Sequence, residues 1–188
     1  KILGYLQNAT YRLTTSNVKL DTLDAFKGLQ IRTMENQNHM AFWSALGAAP
    51  TPLAWPEVYI SLQNGTIDGQ ENPLSNIYSS SLQDVQKYLS LTGHMYDAAP
   101  FVCNMDWFNS LPTEYQEILM EEAKNAREVD LEENDENKYL DLLKEAGMEV
   151  NEVDKTAFQA KMDGVWADYA SQYADGQSWI DLATSFNK

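Results

Sequence analysis

The stretch from Leu29 to Gly69 switches repeatedly between a two-residue and a helical hydrophobic period, and this limits the fold more than any other feature of the chain. Leu29-Gln30-Ile31-Arg32 alternates as a half-buried strand does. Asn36 to Leu46 set Met40, Trp43 and Leu46 on one helical face, and Gly47 supplies a stop. Pro50 to Trp55 is extended, and Pro56 suits the first turn of a helix running through Val58, Tyr59 and Leu62 to Asn64-Gly65. Thr66 to Gly69 reads as the next short strand. Strands separated by helices need crossover connections, so this order predicts an α/β fold with parallel strands.

The flanking sequence extends the pattern. Lys1 to Tyr5 read as a strand, Asp21 to Phe26 as a short helix, and Tyr88–Thr92 and Phe101–Asn104 as strands. Thr113-x-x-Gln116 is a capping-box pattern that opens a long helix to about Ala146, with Gly147 as its stop. Glu121 to Lys138 are so charged that this helix has little apolar face, so its centre is expected to be exposed and bridging. Met148 to Val153 read as a strand, Asp154 as the cap of a helix through Tyr173, and Ser178 to Phe186 as a last helix. The division expected is a ligand-binding α/β part over residues 1–95, crossover strands and a bridging helix over 96–147, and a C-terminal part over 148–188 that packs back on the rest.

A formal charge of −15 argues against nucleic acid and anionic lipid as partners. The single cysteine, Cys103, excludes an internal disulfide and a cysteine-rich metal site, and Pro100-Phe101-Val102 beside it suggest an inert buried thiol. No apolar run approaches the roughly 20 residues of a membrane-spanning helix, so no membrane insertion is expected. Gly-x-Ser-x-Gly, His-Glu-x-x-His and glycine-rich phosphate-loop patterns are absent, so neither cofactor nor metal is expected. Glu132-Glu133-Asn134-Asp135-Glu136 lacks the glycine and ligand spacing of a calcium loop and reads as a solvated helix face.

Only three arginines occur, and two of them, Arg12 and Arg32, lie twenty residues apart, with Asn72 forty residues after Arg32. A guanidinium presents a rigid fork of donors that matches a carboxylate. We read the pair as an anion-handling site with Asn72 as a neutral polar contact. The structural alternatives are a surface salt bridge for Arg32, a pairing with Glu71 for Arg12, and a turn role before Pro73 for Asn72. His39, on the amphipathic helix, reads as structural or exposed.

Five segments carry a family resemblance: Tyr11-Arg12-Leu13-Thr14-Thr15-Ser16-Asn17, Phe26-Lys27-Gly28-Leu29-Gln30-Ile31-Arg32, Leu46 to Tyr59 (Leu-Gly-Ala-Ala-Pro-Thr-Pro-Leu-Ala-Trp-Pro-Glu-Val-Tyr), Gly65-Thr66-Ile67-Asp68-Gly69-Gln70-Glu71-Asn72-Pro73, and Val85 to His94. In this order they resemble the substrate-binding proteins of tripartite ATP-independent periplasmic (TRAP) transporters, of the DctP type. The family carries a further N-terminal part with most of one lobe, and the opening Lys1-Ile2-Leu3-Gly4 reads like an internal strand, so a chain lacking that part is expected.

The resemblance implies a periplasmic-binding-protein-like clam-shell, here mainly one lobe plus a long bridging helix. It implies a non-enzymatic receptor, exported by a signal peptide in its precursor to the periplasm or another extracytoplasmic location, free or lipid-anchored. That receptor would pass a small organic acid to TRAP membrane permease subunits. In the family, the position of Arg32 clamps the ligand carboxylate, that of Arg12 adds a second cation, and that of Asn72 hydrogen-bonds the same group. Trp55 matches an aromatic ring against the ligand, and Glu71 and His94 match a supporting polar network. Glu35 stands where some relatives have a neutral amide; an acid there favours hydroxyls or a cation and repels a second carboxylate. Sugar acids, sialic-acid-like compounds, C4-dicarboxylates and keto acids all carry the one carboxylate the site demands, and Trp55 with Glu35 leans the expectation towards a hydroxylated monoacid such as a uronate. The alternative is a lyase or hydrolase acting on a small carboxylic acid, with Glu71 and His94 as acid and base.

Overall fold

The computed structural model describes residues 1–6, 11–96 and 98–186. In chain order the elements are β1 (Ile2–Leu6), β2 (Tyr11–Ser16), β3 (Gln30–Thr33), α1 (Gln37–Ala45), β4 (Ala49–Pro52), α2 (Val58–Gln63), β5 (Gly69–Asn72), α3 (Leu74–Ser79), β6 (Tyr88–Tyr96), β7 (Ala99–Val102), α4 (Met105–Ser110), α5 (Thr113–Glu133), α6 (Glu136–Glu145), β8 (Glu149–Asn151), α7 (Lys155–Gln159), α8 (Asp163–Gln172) and α9 (Gly176–Ser185). They fall into two compact units. The first holds Lys1–Leu13, Asn72–Gln83 and Gly93–Met148; the second holds Thr14–Glu71, Asp84–Thr92 and Glu149–Lys188.

The second unit is built on a six-stranded sheet in the order β4-β3-β5-β2-β6-β8, in which β2, β5 and β6 carry the chain onward into the other unit. β3 runs parallel to β4 and β5, and β6 parallel to β8, as the strand–helix rhythm requires. Helix α1 packs against β3, β4 and α8. Its core residue Trp43 stacks on Phe26 at 5.9 Å, and Phe158 meets Phe26 edge-on at 5.2 Å. Leu20, Ile31, Leu46, Ala48 and Met162 complete this cluster. Aromatic pairs of this kind add about 0.5–1.5 kcal/mol each beyond the area they bury.

The sheet also buries a polar ladder. Gln70 Nε2 donates to Thr15 Oγ1 at 3.0 Å, Thr15 Oγ1 donates to Gln86 Oε1 at 3.1 Å, and the Thr14 and Thr92 hydroxyls lie 3.0 Å apart. A slip of one residue would strand these buried groups, so the ladder fixes the strand register. Gly69 lets β5 approach β2 closely: a Cβ there would sit 2.5 Å from the Thr15 carbonyl oxygen.

In the first unit β1 and β7 form a two-stranded antiparallel sheet, with Ile2 opposite Val102. Helix α5 packs on β1, where Leu3, Phe108 and Ala123 are buried beside Cys103 and Leu119. Helix α3 packs on α6, with the Tyr78 and Tyr139 rings 6.0 Å apart. The Cys103 thiol is free and only half-buried.

Several elements depart from the sequence reading. The strand expected at Thr66 to Gly69 begins only at Gly69, because the Thr66 and Ile67 amides donate back to Ser61 O and finish the turn after α2. The helix expected to reach Ala146 breaks at Asn134: its side chain donates back to Asp130, and Asp135 caps α6 by accepting from the Asn137 amide at 2.9 Å. The capping box does not form. Thr113 is already the first helical residue, and Gln116 Nε2 donates to Leu111 O at 2.9 Å instead. The strand placed at Phe101–Asn104 is Ala99–Val102, since Asn104 caps α4. Asp154 caps a helix as expected, but that helix stops at Gln159 and resumes at Asp163. β2 and α4 were not expected at all.

Candidate functional site

In a parallel sheet the strands' carboxyl ends are where ligands are ordinarily held. Arg32 is the third residue of the four-residue β3, flanked in register by Thr51 of β4 and Gln70 of β5. It is 4% exposed. Two of its donors, Nε and Nη2, meet the Leu53 carbonyl oxygen at 2.9 and 2.7 Å. The plane of the fork is therefore set by backbone just beyond β4.

The chain leaves β3 through Met34 and Glu35, and leaves β4 through Leu53 and Ala54. These four residues, with Arg32 and Pro52, line a cavity of about 390 Å³, a volume within the small-molecule range. Trp55 opens the short 3₁₀ turn that contains Pro56. Its ring lies 5.4 Å from Arg32 Cζ, a cation–π contact, and is 37% exposed. Arg32, Glu35 and Trp55 are thus brought together within the second unit, Trp55 by stacking on Arg32 rather than by lining the cavity. A guanidinium facing the same space as a carboxylate side chain suits a ligand with an anionic end and a hydroxylated or cationic remainder.

Glu71 also belongs to this unit and is fully buried on β5. Its Oε1 lies 3.4 Å from Nδ1 of His39, within ion-pair reach but not aligned as a hydrogen bond. His39 is 6% exposed, so it is buried rather than at the surface. The pairing escaped the sequence because the two residues lie far apart in the chain; the one available signal was a titratable side chain on the apolar face of α1. Arg12, Asn72 and His94 fall in the first unit. There Arg12 on β2 and Asn72 at the end of β5 are buried, and His94 on β6 is half-buried. Among the described residues no group of three or more His, Cys, Asp or Glu side chains could hold a metal ion, and no helix is long and apolar enough to cross a membrane.

Residues 1–172 match the DctP family, described as bacterial extracellular solute-binding protein, family 7. The chain belongs to this family. It is 37% identical over 161 residues to the 2,3-diketo-L-gulonate-binding periplasmic protein YiaO of Escherichia coli K12, covering 84% of this chain and 49% of that protein. The fold is that of TRAP periplasmic solute-binding proteins. It superposes on one from Bordetella bronchispeptica, with bound density assigned as pantoate, at a TM-score of 0.85 and 40% identity, covering 94% of this chain and 60% of that one. A second, from Sulfitobacter sp. NAS-14.1 with bound β-D-galacturonate, gives a TM-score of 0.89 at 32% identity, covering 96% and 61%. The chain spans about half the length of the curated relatives it matches.

Proposed function

We propose that this chain forms part of an extracytoplasmic solute receptor of a TRAP transporter, which captures a small organic acid and delivers it to membrane permease subunits. The observation that carries the reading is the buried Arg32 fork, oriented by Leu53 O at the wall of a cavity of ligand size. Family membership supports the transport role, and the carboxylates named for two similar structures support the ligand class. In this reading Arg32 grips the carboxylate and Glu35 accepts from the solute's hydroxyls, while Trp55, stacked on Arg32, is proposed on the family resemblance to cover an apolar or ring face of the solute. Arg12 and Asn72 are proposed as further ligand contacts and Glu71 and His94 as supporting groups, each on the family resemblance.

Native mass spectrometry of the freshly purified full-length protein tests the reading, followed by calorimetric titration of D-galacturonate, D-glucuronate and succinate. A retained or titratable organic acid is expected; failure to bind any organic acid contradicts the proposal. Glu35→Gln should improve succinate binding relative to the uronates, by about 0.5–1 kcal/mol for a solvent-screened like-charge contact. An unaltered preference would remove Glu35 from the site.

A further inference from the structure

The buried pair of Glu71 and His39 has no task in the Arg32 grip as described. Glu71 follows Gln70, the β5 residue opposite Arg32 on β3, so it sits on the strand that flanks β3 on the side away from β4. A carboxylate cut off from water is unfavourable unless donors or a counter-charge compensate it. His39 offers one from α1, with Nδ1 at 3.4 Å. Its position is set at the cavity rim: Asn36, next to Glu35, caps α1 by accepting from the amides of Asn38 at 2.9 Å and His39 at 3.3 Å. A short run of chain thus ties a cavity-lining residue to the imidazole, and the imidazole to the strand beside Arg32.

We propose that His39 is a positioning residue for the anion site: its Nδ1–H pairs with the Glu71 carboxylate at ion-pair distance and so steadies β5 alongside β3, the strand that carries Arg32, tightening the grip on a ligand that His39 does not itself touch. The proposal rests on the receptor reading above. It requires the imidazole proton on Nδ1 in the neutral form as well as in the charged one.

Imidazole nitrogen NMR tests the pair without a ligand. With two histidines in the chain, the spectrum of His39→Gln assigns the signal. A proton on His39 Nδ1 between about pH 6 and pH 8 is expected; an unprotonated Nδ1 overturns the proposal. Calorimetry with D-galacturonate then compares the wild type with His39→Gln, His39→Leu, Glu71→Gln and the His39→Leu/Glu71→Gln double variant, all confirmed folded by thermal unfolding. His39→Gln keeps a donor and should stay close to wild type, whereas His39→Leu should weaken binding about tenfold. That loss should largely vanish when Glu71 is already Gln. Equal losses for Gln and Leu, or an undiminished loss in the Glu71→Gln background, overturn the proposal. No binding of any organic acid by the wild type removes the receptor reading and this inference together, whereas wild-type binding with an unprotonated Nδ1 removes this inference alone.

Discussion

Arg32 shows what one residue contributes before any ligand arrives. Two of its N–H groups converge on Leu53 O, which fixes the guanidinium plane; on the proposed reading this would lower the ordering cost of binding. Gly69 sets the same neighbourhood from the opposite direction, by letting β5 close on β2. Gly69→Ala would push a methyl against the Thr15 carbonyl at 2.5 Å. It should destabilise the protein by about 1–3 kcal/mol, read as a lower midpoint in urea; an unchanged midpoint would mean the strands part freely. Arg32 stood out in the sequence because guanidinium groups are scarce here and it lies in an alternating strand. His39 did not, because a histidine on an amphipathic helix looks the same whether it faces water or a carboxylate brought in from a distant strand.

At the scale of elements, β3 and α1 were readable because apolar periodicity and the Gly47 stop agreed. β2 was not: Arg12, Thr14, Thr15 and Ser16 are all buried polar residues, Thr14 and Thr15 in side-chain hydrogen bonds, so the strand shows no apolar alternation. The break between α5 and α6 was hidden because Asn134-Asp135 sit in a run of charges that reads as one solvated helix face. Caps are decided by single side chains, and their contributions are measurable. Asn36→Ala removes the oxygen that accepts from the Asn38 and His39 amides, and should cost about 1 kcal/mol in urea unfolding. Because Asn36 also places His39, D-galacturonate affinity should fall with it; a loss of stability with affinity fully retained would uncouple the cap from the site.

For the molecule as a whole, sequence order and spatial order differ. Each unit gathers three separate stretches of chain, and the chain passes between them within β2, β5 and β6. Contiguous reading cannot reveal such an arrangement, since short polar strands carry no mark of where a compact unit ends. Long-range packing reflects it: Phe158, from the C-terminal stretch, closes the cluster around Phe26 and Trp43. Phe158→Ala should therefore cost about 3–5 kcal/mol, seen as a lower unfolding temperature, whereas a small effect would mean that α7 contributes little to that core. The central claim, that an oriented guanidinium grips a carboxylate, is tested most directly by calorimetry of Arg32→Lys in the full-length protein, using the acid that copurifies with it. Lysine keeps the charge and loses the fork, so the dissociation constant should rise at least about tenfold; a constant equal to that of the wild type would contradict the account.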